Sequence, residues 1–181
     1  MTAQENDYCM CNDERYDVLS AMNIIKGQFK TVELFTAKDF GIETHQTSTG
    51  NFQGYIMGYA VKNDLLLLDE VEVHGVDLQP PDINGIAPSQ DPEARSYYYY
   101  HDIGLQVPFT MTFTIGKNFI QTWYIHMGYQ PDWAYKTVLE LEVDGGAIKN
   151  VKDVSDEMAA RRKEEGSPKQ YKARMSGPPR M

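Results

Sequence analysis

From Leu105 to Ile115 every second residue is apolar: Leu105, Val107, Phe109, Met111, Phe113 and Ile115. Between them stand Gln106, Pro108, Thr110, Thr112 and Thr114. A period of two is that of a strand with one face buried and the other wet. The same alternation predicts strands over Phe119 to Met127, after a Gly116-Lys117-Asn118 turn, and over Tyr135 to Val143. Asp144-Gly145-Gly146 then turns the chain into Ala147 to Val154. Upstream, Phe52 to Val61 and Leu65 to His74 form a hairpin about Lys62-Asn63-Asp64.

Nearer the N-terminus, Tyr8 to Cys11 and Tyr16 to Leu19 flank Asn12-Asp13-Glu14-Arg15 and predict another hairpin. Ala21 to Lys26 reads as a short helical turn before Gly27, Phe29 to Phe35 as a strand, and Gly41 to Gly50 as loop. Gly54 and Gly58 weaken a strand unless a neighbour packs closely over them, and that close packing is the expectation here. Between the hairpins, Gln79 to Pro92 is proline-rich and contains Asn84-Gly85, so it predicts a long irregular connection into Tyr97 to Tyr100.

Asp153 or Ser155 can cap a helix over Asp156 to Glu165, with acids in its first turn and Arg161, Arg162 and Lys163 near its end. Gly166 and Pro168 stop it. The expected fold is therefore mainly β (β+α): an antiparallel meander forming a sandwich or partly open barrel, with a C-terminal helix. One domain should span residues 1–166, followed by a basic flexible tail over 167–181.

Charge and length narrow the function classes. The 181 residues suffice for one self-supporting core. No apolar run approaches the ~18 residues of a membrane span, and the polar, acidic stretch from Met1 to Asp7 is unlike a signal peptide. A cytoplasmic protein is expected. Cys9-Met10-Cys11 is too closely spaced for a structural disulfide and has no second pair for metal. Net charge is −9, but residues 161–181 carry +5 and leave −14 on the rest. An acidic body repels phosphate backbones and suits a basic groove on a protein partner.

Three sets of residues could carry chemistry. Glu70, Glu72 and His74 align along one strand, with Asp69 beside them. Steps of about 6.6–7 Å are wide for one ion, so a wet acidic face is expected rather than a metal site. Tyr124 and His126 share a predicted strand face, where an acid–base pair is conceivable; no Gly-x-Ser-x-Gly, P-loop or Gly-x-Gly-x-x-Gly accompanies them. Tyr97, Tyr98, Tyr99 and Tyr100 adjoin Asp91, Glu93 and Asp102, so they suit an acidic, aromatic recognition loop or half-buried strand tyrosines.

The segments Gly54-Tyr55-Ile56, Leu65 to Asp69, Gly116 to Ile120, Tyr124 to Gly128 and Tyr135 to Val143 together resemble a scattered group of small uncharacterised bacterial proteins. The resemblance spans Tyr8 to Glu165 and implies a β-rich single domain without an assigned activity. In character, though not by motif, the chain is also similar to toxin-immunity and anti-CRISPR proteins.

The expectation is a non-enzymatic acidic binding protein that inhibits a nucleic-acid-handling enzyme, such as a CRISPR effector or a nuclease toxin. Tyr97 to Tyr100 would anchor it, Asp69, Glu70 and Glu72 would orient it, and no cofactor is called for. The alternatives are a small enzyme or ligand-binding module using His126, Tyr124 and His74, and a weak DNA binder using Arg161, Arg162, Lys163 and the tail.

Overall fold

Turn chemistry sets the hairpins. Asn12 and Asp13 sit at φ 53° and 61°, and Asn63 and Asp64 at 51° and 58°. These are left-handed conformations that Asn and Asp tolerate, and they match the twist of the flanking strands. The computed structural model describes residues 3–25, 28–76, 78–93, 96–126 and 128–175. The first turn joins β1 (Tyr8–Cys11) to β2 (Glu14–Ile25), and the second joins β4 (Tyr55–Lys62) to β5 (Leu65–Val73). β3 (Gln28–Thr31) pairs with β2, and the short β6 (Ser89–Gln90), β7 (Tyr98–Tyr100) and β8 (Leu105–Gln106) gather beside β5. β9 (Met111–Phe119), β10 (Tyr135–Asp144) and β11 (Ala147–Asp153) follow, then α1 (Ser155–Glu164) and α2 (Pro168–Met175).

The β-rich class with a C-terminal helix is as expected, but the sheet is mixed. Its strand order is β11-β10-β9-β2-β1-β4-β5-β7-β6, and β1 runs parallel to β4. The long excursion through β2 and β3 is what lets β4 return in the same direction as β1. The sheet curls until Ala147 of β11 meets Leu65 of β5, a single point of pairing that leaves the barrel partly open. Among the described residues no helix is long and apolar enough to cross a membrane.

The strand predicted over Phe119 to Met127 stops at Phe119, where β9 ends, and Phe29 to Phe35 is strand only as far as Thr31; three further parts of the sheet are redrawn. The alternating run from Leu105 to Ile115 is two strands, because the chain changes neighbours between them. Val107 donates its N–H to Leu66 on one flank, while the Phe109 carbonyl accepts from Gly146 on the other. Val107 and Phe109 still face inward and are buried; alternation reports which residues reach the core, not whether one ladder is kept. Gly116 to Asn118 is strand rather than turn. A Cβ at Gly116 would meet Leu19 Cδ1 at 2.8 Å, so the glycine answers to packing. Ala21 to Ile25 continues β2 as strand, held between β3 and β9, where a helical turn was expected. Lys26, Gly27, Met127 and residues 176–181 lie outside the described residues.

The main core lies inside the curl and includes Cys9, Tyr59, Leu66, Leu68, Phe113 and Leu141. A second cluster sits on the outer face of β9 and β10, under the helices. Trp123, Trp133 and Val138 form it with Val154, and Tyr171 of α2 packs edge-on to both tryptophans at 6.1 and 4.8 Å. Residues 168–175, expected in the flexible tail, are thus a helix with an aromatic foot. Cys9 and Cys11 are free and buried.

Candidate functional site

The outer face of β1, β4, β5 and β7 carries the predicted acidic and aromatic residues, and a bulge decides which of them. Gly58 pairs with Glu70 and Tyr59 with Leu68, so Asp69 is the extra residue. The bulge moves the inward set from Leu66 and Leu68 to Val71 and Val73, all four buried. Simple alternation puts Leu66 and Leu68 on the same side as Glu70 and Glu72, and the bulge corrects that. It also separates Asp69 from the row: its carboxylate pairs with Lys62 Nζ at 2.7 Å.

Glu70 and Glu72 remain as the acidic pair. Tyr8 crosses Gly58 and donates its hydroxyl to Glu70 Oε2. Burial, reinforced by that carboxylate, raises the Tyr8 pKa well above the usual tyrosine range. The Arg15 guanidinium lies 3.8 Å above the Tyr8 ring, and His101 Nδ1 lies 3.3 Å from Glu70 Oε1. His101 is near-parallel to Tyr99, whose hydroxyl donates to Asp91 at 3.2 Å.

Glu72 Oε2 lies 3.6 Å from His74 Nε2, and that imidazole holds its carboxyl below the usual range despite burial. Asn51 accepts the Gly54 N–H through Oδ1, which aims its amide nitrogen at His74 Nδ1, 3.4 Å away. Nδ1 therefore faces an amide donor and Nε2 faces a carboxylate. Both ring nitrogens are engaged, and Tyr97 stacks on the ring at 4.3 Å. His74 is a flat part of the face, flanked by Asn51, Glu72 and Tyr97.

The tyrosine run splits by parity. Tyr98 and Tyr100 point inward and are buried, with the Tyr100 hydroxyl donating to the Pro81 carbonyl at 2.7 Å. Only Tyr97 and Tyr99 remain on the outer face as part of the expected anchor set.

No protein-family model, curated protein or solved structure matches the chain. The residues alone carry the functional argument.

Tyr124 and His126 are on no strand. They follow a short 3₁₀ turn, Gln121–Trp123, in a loop that Gln130 clamps through both the N–H and the carbonyl of Ile125. The Tyr124 hydroxyl accepts from the Ala3 N–H at 3.0 Å. His126 is exposed, edge-on to Tyr124, and takes no part in lining the cleft beside that tyrosine. Of the basic residues named for nucleic acid, Arg162 donates to the carbonyls of Trp133 and Tyr135, and Arg161 pairs with Asp132 at 3.3 Å. Lys163 is exposed. Among the described residues no group of three or more His, Cys, Asp or Glu side chains is placed to hold a metal ion.

The sequence reading missed Asp7. Its carboxylate accepts the Met57 N–H at 2.8 Å beside a cavity of about 200 Å³. Burial pushes its pKa up to about 6, the Met57 amide opposing and the Glu33 charge adding. An acid one residue before a predicted strand gave no signal. Its environment comes from β4 and from residues 31–35, all distant in sequence.

Proposed function

We propose that the protein is a non-enzymatic inhibitor that docks its outer β5/β7 face on a basic, nucleic-acid-handling partner, such as a CRISPR effector or a nuclease toxin. The observation that carries this reading is the braced row on that face. Glu70 is held between Tyr8 and His101, Glu72 is held by His74, and Tyr97 and Tyr99 flank them. Fixed aromatic rings offer contact area at little entropic cost, and paired carboxylates speed and orient encounter with positive charge. The −14 carried by the first 160 residues adds a field of the same sign.

The test is titration of the protein into DNA cleavage by CRISPR effectors and into nuclease-toxin digests. Wild type slows the susceptible enzyme, and the slowing weakens as salt rises to about 0.5 M, where screening is severe. Glu70→Lys with Glu72→Lys abolishes the effect. Inhibition that survives both charge reversals contradicts the reading.

A further inference from the structure

The Asp7 cavity is separate from the outer face. Tyr59, 2% exposed, is its floor, Tyr55 is a wall, and Tyr129, 51% exposed, stands at the rim. Gln53 Nε2 donates to the Tyr129 hydroxyl at 2.8 Å and ties the rim to the body of the domain. Asp7 and Glu33 bring two carboxylates to the same lining. The remaining lining is largely aliphatic, from β2 and from the segment that follows β3.

Each part of this lining selects the same chemistry. Tyrosine rings attract a cation through their negative faces, and more strongly where water is excluded. The carboxylates repel an anion. Carboxylates that converge on a hollow partly walled by hydrocarbon favour a cation with an apolar body over a hydrated metal ion. A volume of about 200 Å³ is below the ~300–1,000 Å³ of drug-sized sites, so the occupant is small.

We propose that this cavity binds a small alkylammonium ion, its charged nitrogen between Asp7 and Glu33 and its alkyl groups against Tyr55, Tyr59 and Tyr129. The site is independent of the inhibitor reading, because none of these residues belongs to the Glu70–Glu72 row. Asp7 is the group that titrates near neutral pH. Glu33 faces it from the segment after β3, Tyr55 and Tyr59 from β4, and Tyr129 from the loop before Pro131. The three tyrosines are all shifted upward and stay protonated across that range.

Calorimetric titration with choline, and with 3,3-dimethylbutan-1-ol as its neutral isostere, tests the proposal. Choline binds saturably, at least tenfold more tightly than the alcohol, and Glu70→Lys leaves that affinity unchanged. Choline affinity falls as pH drops through about 6, because Asp7 takes up a proton while choline cannot titrate. Asp7→Asn weakens binding at least tenfold. Tyr129→Leu, at the exposed rim, weakens it severalfold with the fold intact by circular dichroism. Equal affinity for choline and the alcohol, no saturable heat with choline, or full affinity in Asp7→Asn would each overturn the proposal.

Discussion

The ring of Tyr8 fills the space that a side chain at Gly58 would need. A Cβ built on Gly58 would stand 2.6 Å from Tyr8 Cζ and from its hydroxyl oxygen. Glycine lets the ring lie flat across β4 and reach Glu70 on β5, so one contact braces three strands and fixes an acid of the proposed docking face.

Gly58→Ala therefore costs about 1–3 kcal/mol, the range for overpacking a filled site. In a Tyr8→Ala background the same change costs less, since the ring is gone and only Glu70 Cβ, 3.0 Å away, still crowds the site. Urea unfolding of the four proteins of this cycle measures the coupling. Additive effects would show that Tyr8 and Gly58 do not press on each other.

Asp7 makes stability depend on pH in the direction opposite to an ion-paired acid. Its folded pKa of about 6 lies above its ordinary 3.8, so the folded state holds the proton more tightly than the unfolded chain. Asp7's contribution is greatest below about pH 4, falls as pH rises toward 6, and stays low above that. At about 1.4 kcal/mol per pKa unit the loss at pH 7 is up to about 3 kcal/mol. Asp7→Asn is accordingly more stable than wild type at pH 7 and no more stable at pH 4. Thermal melts at the two pH values check this, and a variant less stable at both would refute it.

Arg162 and Tyr171 fasten the helices. Arg162 supplies donors to the Trp133 and Tyr135 carbonyls. Its loss to alanine costs about 1–3 kcal/mol, the penalty for leaving such acceptors unpaired. Removing residues 167–181 takes away the Tyr171 ring and exposes Trp123 and Trp133. Tryptophan emission shifts to the red, and an unshifted spectrum would mean that α2 does not cover them.

Much of the fold was legible where a single rule governs a residue. Asn12-Asp13 and Asn63-Asp64 had to turn, Gly58 needed a close neighbour, and Leu139, Leu141 and Val143 alternate into the core. Legibility failed where two rules compete. The bulge at Asp69 changes the inward set of β5, and nothing local announces it. Gly116 and Asn118 carry turn chemistry, yet the ladder to β10 and the packing of Leu19 and Tyr135 hold that stretch as strand. At the site, Glu70 and Glu72 were readable from alternation. The parity that buries Tyr98 and Tyr100 was open, because four identical residues carry no periodic signal. Asp7 was invisible because burial by β4 is a tertiary fact.

The central claim is that the Glu70–Glu72–Tyr99 face meets a basic partner. A photo-crosslinking amino acid in place of Tyr99, exposed to light in the native host, tests it most directly, with the same residue in place of Lys163 as the distant control. The account predicts a protein adduct from position 99 and none from position 163, with the adduct mapped by mass spectrometry to a nucleic-acid-binding groove. An adduct from position 163 alone, or a position-99 adduct on nucleic acid or on an acidic surface, would contradict it.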